Sequence, residues 1–156
     1  MAGASSLYDE DFVLWSKEQA EALRAAARGG SNEPLDFENL AEEIEDLGKS
    51  TRRELMSRLL VVLEHLLKLE HSTATEPRAG WEETIERERS NIEDLLEESP
   101  SLRGDLPSMI DKARSRAARL AARSLGSRGE AGAELSPPPY SVEEVLGDWF
   151  REEPEK

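Results

Sequence analysis

Two residues invite a catalytic reading first. His65 lies on a stretch lined by Leu63, Leu66 and Leu67, and Arg58 stands seven residues earlier. On a helix both could share a face, and an imidazole can pass protons at neutral pH. An Arg-x6-His spacing resembles the motif of helical-bundle ribonucleases of toxin systems, in which the pair activates a ribose hydroxyl. The more economical reading is a histidine that bonds a neighbouring helix and fixes packing. A second cluster, Glu38, Glu42, Glu43, Glu45 and Asp46, places Glu38, Glu42 and Glu45 on one stripe at i, i+4 and i+7. Converging carboxylates suit a hard divalent cation, against the plainer reading of a solvated acidic face. Di-iron chemistry in a bundle needs Glu-x-x-His pairs, and neither His65 nor His71 follows a glutamate by three. Trp15, Trp81 and Trp149 could line a small-ligand pocket, or act as core plugs with satisfied indole N–H groups. No nucleophile elbow and no glycine-rich phosphate loop is present, so no cofactor is expected.

The elements that position these residues read as helices. The chain has 156 residues with 37% apolar content. Leu and Ala dominate that content over Val, Ile and aromatics, a balance that favours helix over strand. Asp9-Glu10-Asp11 opens the first helical signal. Phe12, Trp15, Gln19, Leu23 and Ala26 continue it on one face until Gly29-Gly30. From an N-cap at Asp36, the positions Phe37, Leu40, Ile44, Leu47, Thr51, Leu55, Leu59, Val62, Leu66 and Leu69 step by 3 or 4 without a slip. This predicts one helix of about 33 residues, near 50 Å long. Gly48 and the pattern Thr51-x-x-Glu54 leave a break near 48–51 as the alternative. Trp81, Ile85, Ile92, Leu95 and Leu96 mark a third helix ending before Ser99-Pro100. A fourth begins at about 105, with Pro107 in its first turn and a small face at Ala113, Ala117, Ala118, Ala121 and Ala122. Ser141 and Glu144 form a capping box ahead of Val142, Val145, Leu146 and Trp149. The expected fold is all-α, with four main helices around a long central one and a short C-terminal helix. As domains, this reads as a bundle over 7–125, a linker over 126–139 containing Pro137-Pro138-Pro139, and a docked helix over 140–150, a single domain overall.

Several motifs resemble a known bacterial family. They are Tyr8-x-x-Asp11-Phe12-x-x-Trp15-x-x-x-Gln19, the run Glu38-Asn39-Leu40-Ala41-Glu42-Glu43-Ile44-Glu45-Asp46-Leu47-Gly48, His65-Leu66-Leu67-Lys68, and Trp81-x-x-Thr84-Ile85. Ser99-Pro100-Ser101-Leu102 and Tyr140-Ser141-x-Glu143-x-Val145-Leu146 extend the match. This ordered succession is similar to the family catalogued as domain-of-unknown-function family twenty-nine, from Tyr8 to about Phe150. The resemblance implies an all-helical fold and supplies no catalytic residues.

Charge and composition narrow the function classes. The formal net charge is −14, a field that repels phosphate backbones and argues against general nucleic-acid binding. It is unevenly spread. Residues 1–49 hold 4 basic and 12 acidic side chains, whereas residues 101–130 hold 7 basic and 3 acidic, including Lys112, Arg114, Arg116, Arg119, Arg123 and Arg128. With no cysteine, disulfides and thiolate chemistry are excluded. No apolar run approaches a membrane span and no secretory leader is evident, so a cytoplasmic protein is expected.

The leading expectation is a non-enzymatic helical interaction module. It has an unidentified protein partner or pairs with its own copy, most simply as a homodimer. A ribonuclease using Arg58 and His65, and a metal or small-ligand binder using Glu38–Asp46, are the alternatives. Eight of the eleven positions from Leu59 to Leu69 are apolar. Self-association is therefore expected through 55–69 or through the Ala-rich fourth helix, with a second copy also covering an overhang at Phe37, Leu40, Ile44 and Leu47.

Overall fold

The computed structural model describes residues 4–130, 135 and 139–148, and all statements of structure concern these. Their regular structure is helical throughout: α1 (Ala4–Glu10), α2 (Phe12–Arg28), α3 (Phe37–His71), α4 (Arg78–Glu98), a 3-10 helix (Pro100–Asp105), α5 (Leu106–Ser127) and α6 (Val142–Leu146). The all-α expectation holds. Pro137, Pro138, Trp149 and Phe150 lie outside the described residues, and with them half of the expected linker and the last two positions of the expected C-terminal helix.

The boundaries follow from caps. Asp9-Glu10-Asp11 does not open the first helix as expected. A short helix, α1, precedes it, and Asp11 is the N-cap of α2, its carboxylate accepting from the Leu14 N–H at 2.9 Å. Asp36 caps α3 by accepting from the Asn39 N–H at 3.3 Å. α3 runs unbroken through Gly48, so the break does not occur. Thr51 forms no cap there, its hydroxyl donating to the Leu47 carbonyl within the helix at 3.3 Å. α5 ends in a Schellman motif: the Glu130 and Gly129 N–H groups bond the Leu125 and Gly126 carbonyls, with Gly129 at φ 77°. The capping box of Ser141 and Glu144 is formed in both directions.

The chain divides into two compact units. The first comprises residues 1–54 and 94–104. Its buried positions are mostly small or polar, among them Asp11, Ser16, Ala20, Ala41 and Ser99, joined by Leu95, Leu96 and Leu102. Here α2 meets α3 along a narrow seam. A Cβ added at Gly48 would overlap Ser16 Oγ and lie 3.3 Å from Ser16 Cβ, so the glycine sets how closely the helices approach.

The second unit, residues 55–93 and 105–156, has a conventional leucine core. Leu55, Leu59, Leu63, Leu67 and Leu69 from α3 are buried, as are Ile85 and Ile92 from α4 and Leu106, Met109 and Ile110 from α5. Burying such side chains stabilises a fold by about 1.5–3 kcal/mol each. Ala113, Ala117, Ala118 and Ala121 continue the buried face of α5, and α6 lies against α5.

Candidate interaction surface

The narrow seam of the first unit has a direct consequence for α3. Periodicity places Leu40 and Leu47 on the inward face together with Leu55. The structure instead buries Ala41, and with it Gly48, in the N-terminal half, and turns the leucines out. Leu40 is 40% exposed, Leu47 52% and the preceding Leu35 53%. Ile44 and Phe37 are half-buried beside them. The reason is steric: only a small residue lets two helix backbones come this close, so Gly48 takes the contact with α2 and the larger residues stand outside it.

The displaced residues form an ordered row. Phe37, Leu40, Ile44, Leu47 and Thr51 are spaced 3, 4, 3 and 4, the seam of a heptad repeat over two heptads. Ile44 takes an a position and Leu40 and Leu47 take d positions, the combination that favours two-stranded pairing. A second exposed apolar feature of this unit is the cluster of Tyr8, Phe12 and Trp15. Tyr8 meets the other two rings edge-on at 5.9 and 4.9 Å between centroids, and is itself 51% exposed.

The residues singled out for chemistry are divided between the two units. His65 is half-buried, and its Nδ1–H donates to the Val61 carbonyl of its own helix at 2.8 Å rather than to a neighbouring helix. Burial pushes its pKa below the ordinary imidazole value, with Lys68 adding to that and the Val61 bond, Glu64 and Glu88 opposing it. Arg58 is held by Glu88 at 3.1 Å. Within the acidic cluster, Glu45 bonds Arg24 at 2.6 Å and Lys49 at 3.0 Å. These bonds, the Lys49 bond foremost, lower its pKa. Glu38 and Glu42 are exposed, and among the described residues no group of three or more His, Asp or Glu side chains is close enough to hold a metal ion. Trp81 is buried, with Lys68 Nζ 5.7 Å and the Arg128 guanidinium 5.6 Å from its ring centroid. Trp15 is half-buried in the aromatic cluster.

The sequence profile described as "Domain of unknown function DUF29" matches residues 7–150. The chain belongs to this family. A crystal structure of an alpha-helical protein of unknown function from Rhodospirillum rubrum is similar to it, with a TM-score of 0.77 at 28% sequence identity over 92% of this chain and 91% of that one. No curated protein matches the chain.

Several DUF29 motif residues turn out to tie helix ends together. Asp11, besides capping α2, accepts from the Ser101 N–H at 2.7 Å and the Ser101 hydroxyl at 2.9 Å. The Ser99 hydroxyl accepts from the Val13 N–H at 3.1 Å. One buried carboxylate and two serines thus join the start of α2 to the turn after α4. In the second unit the Tyr140 hydroxyl donates to Glu70 at 3.1 Å, and burial, with Glu144 adding to it, raises its pKa to about 12.

Two arginines that sequence reading missed do similar work. Arg78 donates to the Leu69 and Ser72 carbonyls at the end of α3, at 2.9 and 3.2 Å. Arg89 donates to the Val145 and Glu144 carbonyls of α6, at 2.9 and 3.1 Å. Both satisfy carbonyls that a helix C-terminus leaves unpaired. No local pattern signals them, because their acceptors are backbone atoms 6 to 56 residues away.

Proposed function

We propose that the protein is a non-enzymatic interaction module that pairs with a second copy of itself through the α3 row Leu40–Ile44–Leu47. The observation that carries this reading is the exposure of Leu40 and Leu47 in heptad spacing on a helix whose small residues already face α2. A lone exposed leucine means little, but a row with Ile at a and Leu at d suits a like helix across a two-fold axis. The other surfaces expected to associate, the leucines of 55–69 and the alanines of α5, are largely buried within the chain, which favours the overhang.

Size-exclusion chromatography with light scattering tests this reading on the full chain. The expected result at micromolar concentration is twice the 17.4 kDa of one chain. Leu40→Glu with Leu47→Glu, both at exposed positions, is expected to give single chains with unchanged helical circular dichroism. A single-chain mass for the wild type at every concentration overturns the proposal.

A further inference from the structure

α5 carries a ladder of exposed cations. Lys112, Arg116, Arg119 and Arg123 stand at i, i+4, i+7 and i+11, on one face and spanning about 16 Å. All four are exposed. Among the described residues none of them takes part in a salt bridge or hydrogen bond, although the chain has 34 acidic residues. Arg114, on another face of the same helix, pairs with Asp111 at 3.4 Å. Along the ladder the neighbours at three and four residues are Ala, Leu, Met, Ser, Gly or another cation, and like charges so spaced oppose the helix. The ladder also borders a hollow of about 200 Å³ lined by Arg116, Arg119, Leu120 and Arg123.

We propose that this ladder and hollow bind a compact oligophosphate group. Three of the four cations are arginines, whose planar fork grips phosphate oxygens in pairs where lysine offers only a point charge. At physiological salt the field is screened within about 8 Å, so a ligand seated among the arginines meets the local positive charge more than the net −14. A long polyanion extends beyond the ladder into the acidic remainder of the chain and is repelled, whereas a short one fits within it. The phosphate group has two sources, a free oligophosphate or the end of a nucleotide. This site does not depend on self-association.

Isothermal titration calorimetry of the full chain with inorganic tripolyphosphate and, separately, with ATP decides it. Saturable one-site binding of either is expected, weakening as salt rises. Equal affinity identifies the free oligophosphate, and tighter ATP binding identifies the nucleotide, its base resting on Leu120. The variant Arg116→Gln, Arg119→Gln, Arg123→Gln is expected to bind at least about tenfold more weakly. Arg87→Gln on α4 is expected to bind as the wild type does. The triple variant relieves like-charge repulsion along α5 but makes the net charge of −14 more negative by three, two opposing effects at exposed positions, so its melting temperature is expected to stay close to that of the wild type. Replacing the same three arginines by lysine separates a grip from a charge cloud, and is expected to lose most of the affinity. Absence of saturation with both ligands, full affinity in the lysine variant, or displacement by an equal concentration of sulfate would each overturn the proposal.

Discussion

At the scale of the residue, polar side chains tie backbone segments together. Asp11 accepts three hydrogen bonds while 7% exposed, and leaving such donors unmet costs about 1–3 kcal/mol each. His65 makes a testable case. Its folded pKa is depressed by burial, so the folded state resists a proton that the unfolded imidazole accepts below about pH 6.5. The stability contributed by neutral His65 is therefore present above that pH and lost as the pH falls. His65→Ala is expected to be less stable than the wild type by on the order of 1 kcal/mol near pH 8. In urea titrations that gap should narrow on going to about pH 5.5. A gap that stays constant or widens contradicts a buried, neutral histidine. The sequence reading had His65 bond a neighbouring helix, whereas its Nδ1–H donates to the Val61 carbonyl of its own helix.

At the scale of the element, helix–helix distance decides which residues are presented to solvent. Gly48 is worth examining because two effects compete there. Replacing a helical glycine by alanine adds about 0.8–1 kcal/mol of helix preference. Here, however, the new methyl displaces the Ser16 hydroxyl, which donates to the Val13 carbonyl at 2.8 Å. Gly48→Ala is expected to be neutral or destabilising in the wild type. In a Ser16→Ala background it should be more favourable by about 1 kcal/mol, a coupling that a double-mutant cycle in urea measures. Additive effects would mean that the seam is looser than drawn. The periodicity of α3 was legible from one end to the other, but not that small residues would take the buried positions of its N-terminal half, because leucine spacing alone cannot reveal that a smaller face exists to be packed.

For the whole molecule, electrostatics sets the conditions of stability. No helix among the described residues is long and apolar enough to cross a membrane. A net charge of −14 on 156 residues makes the folded chain repel itself. The ion pairs Arg24–Glu45 and Arg58–Glu88 oppose that repulsion only locally. Raising salt from about 0.01 M to 0.15 M shortens the screening length from about 30 to 8 Å. It is therefore expected to raise the melting temperature in a calorimetric scan. A fall would show that the ion pairs outweigh the long-range repulsion. The same uneven charge underlies the anion-site proposal, since among the described residues the cations of the α5 ladder enter no ion pair.

The sequence by itself determined the four long helices, the caps at Asp36 and Ser141, and the apolar core of the second unit. Each of these rests on residues within a few positions of one another, where helical geometry alone dictates who meets whom. Tertiary structure decided the rest. It joined Asp11 to Ser101 across 90 residues, gave α6 its carbonyl partner in Arg89, and buried Ala41 and Gly48 rather than Leu40 and Leu47. Those outcomes depend on the distance between backbones, which the neighbouring helix sets and no periodicity within α3 encodes.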